Sequence, residues 1–151
     1  MEQSDHDRIQ RLEDGEAIRN LIASYGPLAD AGDAKGIAAL WTEGGRYGVG
    51  DFGEAKGSQQ IAMLIDSDRH QNLMQQGCGH ILTSPHISLD GDKATATNHS
   101  VVFLNMGDSH QAWRGSANRW QLIRTADGWR VQHRENRPLT GDERAQKLLS
   151  L

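Results

Sequence analysis

The chain has one cysteine, Cys78, and therefore no possible intrachain disulfide, which suits a reducing cytosol. It lacks any run of ~18 apolar residues, the length a membrane-spanning helix requires. The opening stretch Met1–Arg8 is polar and acidic, unlike a secretory signal peptide, so a cytoplasmic location is expected. A basic surplus is also missing: 16 Lys and Arg stand against 20 Asp and Glu, a net charge of −4. That balance argues against nucleic acid as a partner. Internal repeats, low-complexity tracts and linkers are absent. What remains is a 151-residue chain, 36% apolar and 24% charged, with mean hydropathy −0.65. Such a chain reads as one soluble domain, 1–151, able to build a core without a metal.

Apolar residues at Ile9, Leu12, Ala17, Ile18, Leu21, Ile22 and Tyr25 recur at helical steps, with Asp14 expected as a cap. Gly26-Pro27 predicts a kink or a restart. Asp33 is expected to cap a second helix, Ala34–Trp41. Arg46–Phe52 reads as a bent strand, and Ser58 as the cap of a third helix running toward Gly77. From His80 the pattern changes to strands: His80–Leu89, Lys93–Asn105, Trp113–Thr125 and Trp129–Arg137. Asp90-Gly91-Asp92 and Ala126-Asp127-Gly128 read as their turns. Residues 140–151 read as a loose tail. Helices followed by a meander of long strands predict an α+β fold.

The chemistry-bearing motifs are few. There is no G-x-S-x-G elbow and no phosphate loop ending in Lys-Ser/Thr, so neither a serine hydrolase nor a nucleotide cofactor is expected. HExxH and paired cysteines are missing too, and the spacings of His80, His86 and His99 fit no compact ligand set, so no metal is expected. His80, just after a glycine pair at a strand start, is placed to face a cavity. Asp30 reads either as a turn carboxylate or as the partner of a histidine, and spacing across fifty residues does not decide between them. Cys78, two residues before His80, shares its face if both are extended. It reads as a small wall residue or as a thiol beside an imidazole. Seven arginines between Trp113 and Arg144 are either solvated strand positions or a grip for an anion.

Several of these landmarks together resemble the SnoaL-like branch of the nuclear transport factor 2-like superfamily. They are Glu16–Leu21, Tyr25 with Asp30, Gly32-Asp33 before a helix ending Leu40-Trp41, His80 at a strand start, Leu89–Ala96, and Leu122–Arg130. The resemblance covers about residues 10 to 138. It implies a cone: a curved antiparallel β-sheet with N-terminal helices packed on it, enclosing a deep pocket. It also implies that Asp30 and His80 meet, like the Asp–His dyad of hexachlorocyclohexane dehydrochlorinase. Scytalone dehydratase and bile-acid 7α-dehydratase look similar at the same places. In that comparison Tyr25 faces the substrate, Tyr47 is an aromatic at the pocket wall, Cys78 and Val102 line the pocket, and Arg134 lies near the leaving group. Pro27 and Ser84-Pro85-His86 depart from the usual pattern.

The resemblance leads to the expectation of a cofactor-independent lyase or isomerase on a hydrophobic cyclic small molecule, working as a dehydratase-like proton abstractor. The competing reading is a non-catalytic binding protein, or the small subunit of a larger enzyme such as a ring-hydroxylating dioxygenase. Both faces of Lys93–Asn105 are poor in charge, so burial of its outer face in a homodimer or homotrimer is expected.

Overall fold

A computed structural model describes residues 3–151. Helix α1 runs unbroken over Asp5–Asp30, capped by Ser4, whose hydroxyl accepts from the Asp7 N–H. Its inward stripe is Asp14, Gly15, Ile18, Ile22, Gly26 and Ala29, spaced by threes and fours as one helix face requires. Pro27 neither ends nor restarts the helix. It sits one turn from the C-terminus with its ring exposed, where losing a single helix hydrogen bond is tolerated. Ile9 and Leu12, expected on the packed face, are exposed instead.

Asp14 is not a cap either. It is buried in mid-helix, where both carboxylate oxygens accept from Arg124 at 2.7 Å and one also accepts from Trp129 Nε1 at 3.0 Å. This ties α1 to a hairpin more than a hundred residues away. The Arg124 hydrogen bonds hold the carboxyl at about 2, against the desolvation that would raise it. Removing one member of such a pair leaves the other stranded, so Asp14→Ala is expected to cost about 2–3 kcal/mol near neutral pH. Because the folded-state pKa is depressed, the contribution is complete above the unfolded value near 4 and is lost as pH falls toward 2. Urea melts of both proteins from pH 7 to pH 2 check this: the gap between them should close across that window.

Asp33 caps α2 (Ala34–Ala39) by accepting from Gly36 N–H at 2.7 Å. Trp41, expected to end that helix, instead starts strand β1 (Trp41–Val49), whose register shifts between Trp41 and Arg46. A 3-10 turn, Gly50–Phe52, leads to β2 (Glu54–Lys56). The expected third helix is two, α3 (Gly57–Asp66) and α4 (Asp68–Gln76), divided at Ser67, whose extended backbone and hydroxyl cap α4. Ser58 lies inside α3 and does not cap it. The expected strand His80–Leu89 is likewise two, β3 (Cys78–Leu82) and β4 (His86–Asp90). Between them Pro85 has no N–H for a ladder. Strands β5 (Lys93–Asn105), β6 (His110–Thr125) and β7 (Gly128–Pro138) follow as read.

These form one curled, unclosed seven-stranded sheet ordered β2-β1-β7-β6-β5-β3, with β4 pairing the other end of β5. The sheet is mixed and not purely antiparallel, because β1 runs parallel to β7. The two strands lie far apart in sequence, so no hairpin fixes their relative direction. The core between helices and sheet is built from Ile18, Ile22, Ile37, Ile61, Trp120, Leu122 and Val131, among others. The tail read as loose carries α5 (Glu143–Leu148), whose Ala145 and Leu148 pack on Ala117 of β6. No helix among the described residues is long and apolar enough to cross a membrane.

Candidate active site

The last residue of α1 is Asp30, and its position depends on the glycine one turn before it. A Cβ at Gly26 would fall inside the van der Waals shell of the His80 carbonyl oxygen. The bare Cα therefore lets α1 lie directly against the backbone of β3. That approach brings the carboxylate to the strand. Asp30 Oδ1 accepts from His80 Nδ1 at 2.6 Å, and Oδ2 accepts from the His80 backbone N–H at 2.9 Å. Burial alone would raise the Asp30 carboxyl, but the hydrogen bonds and charge of His80 outweigh it and hold it below the usual range. An ionised carboxylate only accepts, so in the neutral form of the ring the proton sits on Nδ1 and the lone pair on Nε2.

His80 looks into a cavity of about 810 Å³, open mouth included. Tyr25, Tyr47, Val102 and Arg134 share its wall. Tyr25 stacks on Tyr47 with ring centroids 6.2 Å apart and presents an edge-on contact to His80 at 6.5 Å. Burial pushes the Tyr25 phenol well above its ordinary range, so it stays a neutral hydrogen-bond donor. The Arg134 guanidinium is 2% exposed and lies 4.2 Å from the ring centres of both Tyr25 and Trp120. Its Nε and Nη2 donate to Asn118 Oδ1, and among the described residues its Nη1 has no partner.

Cys78 is placed differently from the wall position expected for it. Its thiol points to Asp30 Oδ1 at 3.7 Å and does not line the cavity. Burial, with the neighbouring carboxylate, pushes the thiol up to about 11, so it stays protonated and is no nucleophile at neutral pH. Asp30, Cys78 and His80 are the one grouping among the described residues whose potential ligand atoms lie within 4.8 Å of one another. His86 and His99 are exposed and not part of it.

Several site residues have no counterpart in the sequence reading. His70 of α4 is buried, its ring 5.6 Å from that of His80, and its Nε2–H donates to the Ala29 carbonyl at 2.7 Å. A carbonyl only accepts, which assigns this tautomer. A buried polar seam also crosses the sheet. Asn118 donates to Ser100 Oγ and accepts from Arg134 and Asn136, and Asn136 accepts from Arg114. The signal was available: Ser116, Asn118 and Trp120, or Arg134 and Asn136, recur at every second position and so share a strand face.

The SnoaL-like domain model matches residues 10–135 of this chain. Among solved structures, an NTF2-like protein with a cystatin-like fold from Novosphingobium aromaticivorans is 49% identical. It covers 95% of this chain and 94% of its own, with a TM-score of 0.94. A protein of unknown function from Mycobacterium tuberculosis is 26% identical, covers 83% and 77%, and has a TM-score of 0.73. ActVI-ORFA from Streptomyces coelicolor, at 20% identity, 82% and 96% coverage and a TM-score of 0.72, shares the fold. No curated protein matches the chain.

Proposed function

The chain belongs to the SnoaL-like family, and from that premise we propose that it is a cofactor-independent lyase or isomerase acting on a hydrophobic cyclic small molecule. The observation that carries this reading is the 2.6 Å hydrogen bond from His80 Nδ1 to Asp30, at the wall of a largely apolar cavity. With Nδ1 held, His80 Nε2 is the base that takes a proton from a substrate carbon. Asp30 then stabilises the imidazolium. Negative charge develops on the substrate oxygen or leaving group, where Arg134 and the hydroxyls of Tyr25 and Tyr47 meet it. The imidazolium returns its proton to another carbon in an isomerisation, or to the departing group in an elimination.

A screen of cyclic ketones, alcohols and halides in deuterated water tests this. Deuterium should enter one carbon of a turned-over substrate, or of unreacted substrate recovered from partial turnover. Turnover accompanied by hydride transfer or net oxidation would overturn the reading.

The same reading includes a cytoplasmic homodimer or homotrimer. Ile81 of β3 and Phe103 of β5 are exposed at 52% and 36%, which supports an interface on that face. Light scattering should give twice or three times 16.7 kDa. The monomer mass at micromolar concentration would refute the assembly.

A further inference from the structure

The cavity wall carries Arg69, Arg114 and Arg134 and not one aspartate or glutamate. Elsewhere in the molecule Arg8, Arg46, Arg124, Arg137 and Arg144 each have a carboxylate within 4.0 Å, whereas Arg11, Arg19, Arg119 and Arg130 have none among the described residues and do not line the cavity. Among the described residues, none of the three cavity arginines has a carboxylate within that distance. Arg134 is buried and retains an orphaned Nη1. Arg114 has one side-chain partner, the neutral Asn136 Oδ1 at 2.9 Å. Arg69 rests on the Phe52 ring at 4.0 Å, with Arg114 on the same ring at 6.0 Å. Asp30 is held by His80 and does not itself line the cavity.

Arg134 is buried, Arg114 half-buried and Arg69 exposed, and like charges gathered around one partly dry space are unfavourable unless something opposite enters it. Burial lowers the Arg114 guanidinium, and the charges of Arg69 and Arg134 add to this against Tyr47 and Tyr25, which raise it. The sheet ladder places this cluster relative to the base. His80 pairs with Val102, and Val102 pairs with Arg114. Directly paired residues share a face, so the three form one row across β3, β5 and β6. Two strand spacings separate its ends by about 10 Å at the backbone.

We infer that the substrate is an organic carboxylate: its anionic group is held by Arg114 with Arg69 and Arg134 around it, its apolar body lies over Val102, and its acidic carbon is presented to His80. The inference rests on the reading of the cavity as a substrate site and narrows the substrate to an anion. Arg114 supplies a fork of donors suited to a carboxylate, and burial makes the charge-assisted bonds count.

Binding of 2-naphthoate and of its neutral isostere 2-naphthamide, followed through tryptophan fluorescence and calorimetry, tests it without any need for turnover. The carboxylate should bind at least about tenfold more tightly, and the preference should fall as salt rises. Arg114→Gln should bring the ratio to within twofold, whereas Arg114→Lys, which keeps the charge, should retain much of it. Arg19→Gln, an equal charge change on the exposed side of α1, should leave it intact. Circular dichroism melts confirm that each variant is folded. Equal binding of acid and amide, a preference that survives Arg114→Gln, or binding of neither probe would overturn the inference. His80→Ala should keep the carboxylate preference. A failed preference with His80-dependent turnover intact would sink this inference and spare the proposed chemistry, and the reverse pattern would do the opposite.

Discussion

His80→Ala should cost about 10²–10⁴-fold in kcat on any substrate the protein turns over, the range expected for loss of a positioned base. The KM should change little, because the imidazole is one of many side chains lining the cavity. Asp30→Asn should be nearly as damaging for a different reason. The amide can donate where the carboxylate only accepts, so it favours the tautomer with the proton on Nε2, which is the wrong nitrogen for a base. It also removes the negative charge that stabilises the imidazolium. The fold should survive, because the amide oxygen can still accept from the His80 backbone N–H, the 2.9 Å bond that joins α1 to β3. The steady-state constants of both variants, alongside their melts, check this. Unchanged turnover in folded His80→Ala would remove the mechanism. Equal loss from a surface histidine such as His99, exposed on β5, would show the assay to be insensitive to the site.

Gly26→Ala should damage both stability and activity, against the general tendency of alanine to favour helix. Alanine gains about 1 kcal/mol over glycine in a helix interior. Here the added methyl meets the backbone carbonyl of His80, an atom of a paired strand that cannot rotate away. Overpacking of this kind costs about 1–3 kcal/mol, so the strain outweighs the propensity gain. Relief requires α1 to lift from β3, which also lengthens the Asp30–His80 hydrogen bond. Gly15→Ala is the internal control. Its Cβ would meet only the flexible end of Arg19 at 3.4 Å, so that variant should be as stable as the parent or more so. Urea denaturation of the pair, with the downfield Nδ1 proton of His80 followed by NMR, separates the outcomes. A Gly26→Ala protein more stable than the parent, with that proton signal unmoved, would show that the close approach is unimportant.

The elements set by local physics were legible in the chain. The apolar period up to Tyr25 marks the body of α1, Asp33 caps α2, and Gly91 and Gly128 take the positive φ values, 57° and 100°, that their hairpin turns need. Those turns connect β4 to β5 and β6 to β7, so the antiparallel meander follows from short-range rules. Even the site's polar seam leaves a trace, in the alternate positions of Ser116, Asn118 and Trp120.

Other features needed contacts that no local window contains. Asp14 reads as a cap because its neighbours in sequence permit one, and it is instead the buried partner of Arg124 and Trp129. Gly26-Pro27 reads as a break, and Gly26 is instead where helix meets strand. The parallel pairing of β1 with β7 joins segments with no hairpin between them. Asp30 and His80 are fifty residues apart, and neither residue type nor spacing brings them together; family resemblance suggested the meeting, and packing determines it. Local periodicity reports which residues seek burial and how the backbone turns. Which buried group faces which depends on the closing of long chain loops, a term governed by the whole core.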